Sequence, residues 1–325
     1  MFNWRSIVLL LTALLAAIGV ISVKFTYNND IRNNATKVGI IQIVEHPALD
    51  VTRKGIIDEL KICCSIETVF ESAHGNVGLA VQIAQKFAQS KLPLIVTIGT
   101  VATQSAMKHV GDIPIVFSSV TDPVSAGIVG GLKIIDNVTG VSNFVPVEPQ
   151  LSFYKKVLPK LSALGFIYNP GEANSVKLLE ETQAAAEHFG IKIIPAVADS
   201  SNEVATAARS VIGKVDAIFI NNDNTALSAL QIIIKIAEEN KIPVFCSDID
   251  TVDDGVVAAI GPDQYDIGIQ TGKIAASIIN KQKVIKELPV QFPKTLKTVL
   301  NLRSAKKIGL DIPQHLVDIS NKVVK

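Results

Sequence analysis

The sequence predicts an α/β protein with two doubly wound parallel-sheet lobes joined by a multi-strand hinge. Short, fully apolar runs alternate with longer amphipathic segments, and this alternation occurs in two series with a break between them. The length of 325 residues suits about two domains. Fully apolar strands are typical of a parallel sheet that helices cover on both faces.

The chain begins with a basic and then an apolar segment. Arg5 precedes an unbroken apolar run over residues 7–23. A signal-peptide core is ~7–15 residues long and a membrane-spanning helix ~20, so the run fits either a signal peptide or an N-terminal membrane anchor over residues 1–24. We expect residues 25–37 to form a polar tether. The rest of the chain is then exported, to the periplasm or another extracytoplasmic space, with the apolar run as a possible tether to the inner membrane.

The first series predicts lobe 1 over residues 38–145. Its strands are expected at 38–44, 66–70, 92–99 and 113–119, and its helices near 48–61, 76–89 and 101–109. Residues 138–149 contain two prolines and a glycine, which favour a crossover between the lobes.

The second series predicts lobe 2 over residues 146–259. Its strands are expected at 163–169, 191–197, 215–221 and 242–248, and its helices near 175–189, 203–212 and 226–240. A further strand at 256–261 and a helix at 265–280 follow. We expect the chain to return to the first sheet here, so that about 260–290 completes lobe 1, part of 291–325 completes lobe 2, and several strands form the hinge.

Composition excludes several classes of protein. The formal net charge of +1 lacks the basic excess of a nucleic-acid binder. Three cysteines, with Cys246 far from the adjacent Cys63 and Cys64, fit neither a disulfide scaffold nor a zinc site. The sequence has no nucleophile elbow, P-loop or zinc-protease motif, so we expect no enzyme activity, no metal and no cofactor. The only tryptophan is Trp4, so a pocket in the body must use Phe, Tyr and aliphatic side chains.

Six polar loops follow the predicted strands, and ligands of open α/β sheets bind at that edge. The candidate ligand-binding residues are Glu45, His46, Thr100, Ser118, Ser119, Thr121, Asn174, Ser175, Asp223 and Asp248. Helix capping is the alternative role for each residue taken singly, because Ser, Thr, Asp and Asn are the usual N-caps. Six such loops facing one cleft favour a binding site.

The two sets of loops differ in charge. Those of lobe 1 offer hydroxyl and N–H groups, which suit a carboxylate, while Asp223 and Asp248 of lobe 2 suit an ammonium group. Glu45 and His46 could line the side-chain end of the ligand. This pattern predicts a small zwitterion, an amino acid, as the ligand.

Several long stretches resemble those of one protein family: VEHPALD, VTIGTVATQSA, PIVFSSVTDPVSAGIV, NVTGVSNFVPVEPQ, IYNPGEANS, VDAIFINNDNTALSAL and LNLRSAKKIGLDIP. The chain resembles, over about residues 38–316, the substrate-binding proteins of the bacterial ABC transporter family associated with tryptophan and tyrosine uptake. The resemblance implies a type I periplasmic-binding-protein fold, in which two α/β lobes joined by a three-stranded hinge close on a small ligand. It also implies delivery of an amino acid, with the aromatic ones among the candidates, to a membrane permease.

The resemblance assigns roles to individual residues. It directs three lobe 1 residues toward the ligand carboxylate: Thr100, Ser119 and Thr121. It adds three residues from lobe 2: Asn174, Asp223 and Asp248. Many family members carry a lipid-anchor cysteine, and no cysteine lies directly after the apolar run here.

The leading hypothesis is an extracytoplasmic solute-binding protein of an ABC importer, a monomer whose partners are a small-molecule ligand and the ABC permease subunits, with no nucleic acid. The second hypothesis is a ligand-sensing receptor domain anchored by the N-terminal helix. The third is a hydrolase that uses the cleft carboxylates, such as Asp223, or Cys64.

Overall fold

The computed structural model describes residues 35–63, 65–130 and 137–325. The expected signal or anchor segment and nearly all of the tether lie outside these residues. Among the helices that are described, none combines the length and the apolar character needed to cross a membrane.

The first sheet has five parallel strands in the order β2-β1-β3-β4-β5. The strands are β1 (Thr36–Gln42), β2 (Ile66–Ser72), β3 (Ile95–Ile98), β4 (Ile115–Val120) and β5 (Val138–Ser142). The helices between them are α1 (Pro47–Cys63), α2 (Val77–Gln89) and α3 (Thr100–His109). Strands β3 and β4 are apolar and buried along their whole length, as expected for strands covered on both faces.

The second sheet has seven strands in the order β12-β11-β10-β9-β8-β6-β7, and only the β10–β11 pair is antiparallel. The strands are β6 (Ala163–Tyr168), β7 (Lys192–Val197), β8 (Ala217–Ile220), β9 (Val244–Cys246), β10 (Ala258–Gly261), β11 (Lys297–Asn301) and β12 (Lys322–Val324). The helices are α4 (Val147–Val157), α5 (Ala173–His188), α6 (Val204–Val211), α7 (Asn224–Ser228), α8 (Leu230–Glu239), α9 (Gln264–Ile279), α10 (Leu302–Lys307) and α11 (Gln314–Ile319). The predicted fold class of two parallel-sheet α/β lobes is confirmed.

The segment expected as a crossover over 138–149 begins instead with strand β5. Its glycine, which suggested a loop, is needed by the strand: a methyl group on Gly140 would lie 2.1 Å from the carbonyl oxygen of Phe117 on β4. The helix expected over 226–240 is divided at Ala229 into α7 and α8.

Within the described residues the chain crosses between the lobes three times. It leaves β5 for α4 through residues 143–146, leaves β10 for α9 through residues 262–263, and returns from α9 to β11 through residues 280–296. The third crossing pairs with β5, since the Gln291 backbone N–H donates to the Gly140 carbonyl at 2.9 Å and the Gln291 carbonyl accepts from the Ser142 N–H at 2.8 Å. These crossings form the hinge.

Helix α9 follows lobe 2 in sequence but packs in lobe 1. Its Ile267 and Ile274 belong to the apolar core of the first sheet. Gly268 faces α1 so closely that an added methyl group would lie 2.2 Å from the Thr52 carbonyl oxygen, and Gly55 of α1 lies opposite. Small residues at the crossing therefore bring the two helix backbones together.

The core of lobe 2 includes a stack of aromatic rings under α4. Tyr154 stacks on Phe245 with ring centroids 4.6 Å apart, and its buried hydroxyl donates to the Cys246 carbonyl at 2.7 Å. Because Cys246 ends β9, this contact fixes α4 against the strand that leads into one of the polar loops.

Candidate ligand site between the lobes

The polar loops at the carboxyl ends of the strands meet in a narrow pocket between the lobes, which we call the inner pocket. Its lining residues are His46, Ala48, Leu49, Ser119, Thr121, Asn143, Asn174, Asn222, Asn224, Leu227 and Gln264. Apart from His46, every polar side chain in this set is an uncharged amide or hydroxyl. The inner pocket is therefore built to bind through hydrogen bonds rather than through fixed charges.

The two lobes touch each other at this pocket. His46 Nε2 of lobe 1 lies 3.4 Å from Asn224 Oδ1 of lobe 2, and Asn222 Nδ2 donates to the carbonyl of Asn143 in the first crossing at 3.2 Å. The described conformation is thus a closed one.

His46 is buried and electrically neutral. Burial lowers the pKa of its imidazole to about 4, against smaller opposing effects of the Asn224 hydrogen bond and the Asp50 charge. Its Nδ1 atom has no hydrogen-bond partner among the described residues. An unpaired buried nitrogen of this kind is free to bind a ligand group.

Ser119 occupies a strained position at the end of β4. Its φ of 54° lies in the left-handed region, where residues other than glycine are uncommon, and the register of β4 against β5 shifts between Ser118 and Val120. The shift turns the Ser119 side chain into the inner pocket, where its Oγ lies 3.5 Å from Thr52 Oγ1. Strain at a pocket residue is typical of functional loops.

Asn174 presents an acceptor from lobe 2. It lies in the first turn of α5, and its Nδ2 donates to the Asn222 carbonyl at 2.8 Å. Its Oδ1 is buried and has no partner among the described residues. That oxygen can accept a hydrogen bond from a ligand ammonium group.

Asp223 is used within lobe 2 and does not line the inner pocket. It is the N-cap of α7, where Oδ1 accepts from the Ala226 amide at 2.6 Å, while Oδ2 accepts from the Asn169 amide at 2.7 Å and from the Ser175 hydroxyl. Burial, and then the nearby Glu172 charge, raise the pKa of Asp223. In the described conformation the Asp223 and Ser175 side chains bind each other and neither lines the inner pocket, so their contacts with a ligand stay a prediction.

Three lobe 1 candidates also lie outside the inner pocket. Ser118 Oγ lies 2.9 Å from Thr271 Oγ1 in the lobe core, and Thr100 is buried at the start of α3. Glu45 accepts hydrogen bonds from Ser72 Oγ at 2.6 Å and His74 Nδ1 at 3.0 Å. The polar atoms of Ser118 and Glu45 therefore face neighbours within lobe 1.

Asp248 is buried, is not among the residues that line the inner pocket, and is only partly paired. It caps the 3-10 helix Ile249–Val252, with Oδ1 accepting from the Asp250 amide at 3.1 Å. Its Oδ2 has no hydrogen-bond partner among the described residues. Burial, and then the Asp250 charge, raise the pKa of Asp248 to about 7.

The sequence candidates omitted four polar residues that line the inner pocket: Asn143, Asn222, Asn224 and Gln264. Two of them flank Asp223 in the run Asn-Asn-Asp-Asn. Since the Asp223 side chain turns inward to cap α7, Asn222 and Asn224 on either side of it face the cleft. A predicted helix start at residue 224, instead of 226, would have indicated that these two residues line the pocket.

A larger space, which we call the outer cavity, lies in the cleft on the side away from the hinge. Its volume is about 320 Å³. Lobe 1 contributes Ile43, Val44, His74, Gly75, Val77 and Val101, and lobe 2 contributes Asn169, Gly171, Glu172, Asp199, Ser200, Ser201, Asn224, Thr225 and Ser228. Asn224 lines both the outer cavity and the inner pocket, so the two are neighbours.

Two sheets that face one polar cleft, with three hinge crossings, define a binding protein that closes on a small molecule. Residues 37–324 match the family model for ABC transporter substrate binding proteins. The chain belongs to this family, which confirms the resemblance and the prediction that it is not an enzyme. As a substrate-binding component of an ABC transporter, it acts outside the cytoplasm.

Individual relatives add detail. The chain is 33% identical over 279 residues to a tyrosine-binding protein of Clostridioides difficile, covering 84% of this chain and 81% of that protein. It is 30% identical to an ABC domain from Streptococcus pneumonia solved in complex with L-Trp, with a TM-score of 0.84 and coverage of 90% of this chain and 100% of that chain.

A third comparison concerns conformation. A ligand-free, open structure of a substrate-binding protein with adhesive properties from Clostridium difficile is 34% identical, covering 90% of this chain and 99% of that chain. Its TM-score is only 0.65, against 0.84 for the L-Trp complex at similar identity. This difference agrees with the closed lobes seen here.

Proposed function

We propose that this substrate-binding protein binds a free amino acid with an aromatic side chain between its lobes and delivers it to the permease subunits of an ABC importer. The observation that carries the proposal is the inner pocket, in which neutral hydrogen-bonding groups from both lobes converge and two buried atoms, His46 Nδ1 and Asn174 Oδ1, lack partners among the described residues. Relatives at 33% and 30% identity that bind tyrosine and L-Trp support it.

The pocket matches the charges of an amino acid. A zwitterion has no net charge, so uncharged amides and hydroxyls can hold it without burying an unpaired ion. In our assignment Asn174 Oδ1 accepts from the ammonium group, and the Ser119 hydroxyl donates to the carboxylate. The Thr121 hydroxyl, which donates to Asn143 Oδ1 at 3.3 Å in the described conformation, turns to the carboxylate when the ligand is bound. Asp248 Oδ2 also lacks a hydrogen-bond partner among the described residues, and we assign it a supporting role toward the ammonium group.

Binding would be coupled to closure, because the proposed contacts come from both lobes. A ligand that bridges Ser119 of lobe 1 and Asn174 of lobe 2 binds the closed form more tightly than the open one and shifts the population toward it. The permease would then receive the closed, loaded protein. We propose that the protein works as a monomer in this cycle.

The test is calorimetric titration of the purified protein with the twenty amino acids. We expect tyrosine or tryptophan to bind most tightly. Asn174→Ala should weaken that binding about tenfold or more, because a buried ammonium group loses its acceptor. Asn240→Ala is the matched control, since its amide also donates one bond to a backbone carbonyl but lies at the end of α8, away from the cleft.

Two results would count against this function. The first is the absence of binding to every amino acid. The second is equal loss of affinity in the Asn174 and Asn240 variants, which would mean that the pocket amide does not contact the ligand.

A further inference from the structure

Two helices that pack together in lobe 1 end at a surface far from the cleft. Ala48 and Leu49 at the start of α1 and Gln264 at the start of α9 line the inner pocket, so both helices run away from it. Helix α1 has 17 residues, and at about 1.5 Å of rise per residue it ends roughly 25 Å from the pocket. We call the surface at these two helix ends the distal pole, defined by Lys61, Ile62, Lys281, Lys283 and Val284.

The distal pole exposes aliphatic side chains among positive charges. Ile62 is 80% exposed and Val284 is 58% exposed, and the three lysines are exposed as well. The salt bridges of the described residues involve none of Lys61, Lys281 and Lys283. Lysines near helix ends also complement the helix dipole, but that role does not require exposed aliphatic side chains beside them.

Positive charge is in excess at this end of lobe 1. Exposed acidic side chains here include Glu67, Asp112 and Glu287, and Glu67 is paired with Lys37 at 3.8 Å. Exposed lysines outside the distal pole include Lys91, Lys108 and Lys286. The surface therefore complements an array of anions, and the aliphatic side chains of the distal pole fit an array that borders an apolar layer.

The chain enters lobe 1 beside the distal pole. The Thr36 N–H at the start of β1 donates to the Ser65 carbonyl at 3.1 Å, and Ser65 closely follows Ile62 in the sequence. Residues 24–35 join this entry point to the apolar run that is predicted to be a signal peptide or a membrane anchor. Since an extended chain advances at most ~3.6 Å per residue, an anchor that stays in the membrane keeps the entry point within roughly 40 Å of the bilayer.

We propose that the distal pole binds the surface of a membrane that contains anionic lipids. The lysines lie among the negatively charged headgroups, while Ile62 and Val284 enter the boundary between the headgroups and the acyl chains. This contact retains the protein at the membrane and leaves the cleft, at the opposite end of lobe 1, facing the solution that holds the ligand. The inference is independent of which ligand the cleft binds.

The first test measures lysine acylation in the full-length chain, synthesised in the presence of vesicles. The vesicles contain phosphatidylcholine alone or with about one-third phosphatidylglycerol, they are recovered by flotation, and the modified lysines are quantified by mass spectrometry. We expect Lys61, Lys281 and Lys283 to react at least about threefold more slowly with the anionic vesicles, and about 0.5 M salt to remove the difference. Lys241, which is exposed in lobe 2, is the control and should react equally with both.

The second test reverses charges. Lys281→Glu combined with Lys283→Glu should abolish the protection of Lys61, because the headgroups are then repelled. The matched control is Lys306→Glu combined with Lys325→Glu, which changes the net charge equally at exposed positions of lobe 2 and should leave the protection intact.

The third test removes an aliphatic side chain. We expect Ile62→Ser to reduce the protection of Lys281 and Lys283 at least about twofold, because less apolar surface enters the bilayer boundary. Ile319→Ser makes the same change at a 67% exposed position on α11 and should have no effect. Since every substituted residue is exposed, all four variants should unfold at the temperature of the wild type.

The proposal is overturned if no protein floats with the vesicles, if acylation does not depend on phosphatidylglycerol, or if a variant of the distal pole behaves like its control. Protection that is equal in both kinds of vesicle and grows with protein concentration would identify a second copy of the chain as the occupant instead. None of these outcomes bears on amino-acid binding, which calorimetry measures separately.

Discussion

Acid should weaken ligand binding through His46. In the closed form its pKa is about 4, whereas separation of the lobes removes Asn224 and the pocket wall and returns the exposed imidazole toward its ordinary value of 6.5. The closed form therefore holds fewer protons than the open form between these values. Closure is unaffected by His46 above pH 6.5 and becomes less favourable as the pH falls toward 4.

The size of the effect follows from the two pKa values. At pH 5.5 the imidazole is about nine-tenths protonated in the open form and almost entirely neutral in the closed form, which disfavours closure roughly tenfold, or on the order of 1 kcal/mol. Because an amino acid is expected to bind the closed form, its affinity should fall by a similar factor between pH 7.5 and 5.5.

The assay is calorimetric titration with tyrosine or tryptophan at pH 7.5, 6.5 and 5.5. The wild type is compared with His46→Gln, which cannot titrate, and with His315→Gln, an exposed histidine on α11. Asp248 also titrates in this range, but its contribution is shared by all three proteins and cancels in the comparison. The reasoning is refuted if His46→Gln shows the same pH dependence as the wild type.

Two further predictions concern stability. Gly268→Ala should destabilise the protein by about 1–3 kcal/mol, because its methyl group would meet the Thr52 carbonyl at the α1–α9 crossing, and thermal unfolding should occur several degrees lower. An unchanged unfolding temperature would show that the two helices can separate without cost. Tyr154→Phe should cost about 1 kcal/mol in chemical denaturation, because the buried Cys246 carbonyl loses a donor; an unchanged midpoint would show that this bond contributes nothing.

The sequence predicted those strands and helices that are marked by a short apolar run or by an amphipathic pattern within the element itself. It did not predict β5, because Gly140 reads as a loop residue and its contact with Phe117 depends on a neighbouring strand. The sequence analysis placed part of 291–325 in lobe 2 but predicted neither β11 nor β12 as a strand, because the antiparallel pairing of β11 with β10 depends on a strand more than thirty residues earlier, on the other side of α9.

The sequence indicated the loops that form the inner pocket but not which of their side chains line it. His46, Ser119, Thr121 and Asn174 do line the inner pocket. Residue type alone could not separate a helix cap from a ligand contact, because both roles need the same oxygen atoms, and Asp223 proved to be a cap. That distinction depends on where each helix begins, to within one residue.

The placement of α9 in lobe 1 also affects the order in which the two lobes can finish folding. Lobe 1 begins at the first described strand, yet its core lacks Ile267 and Ile274 until the chain has been extended through residue 279. Contacts between α1 and α9 span about two hundred residues, so closing them carries the entropic cost of a long loop and slows folding. A chain truncated before α9 would expose the face of α1 around Gly55, which α9 covers through Gly268 in the complete protein. By that point of the chain, lobe 2 already has five of its seven strands, β6 to β10. We therefore expect folding to finish in the lobe that is translated first.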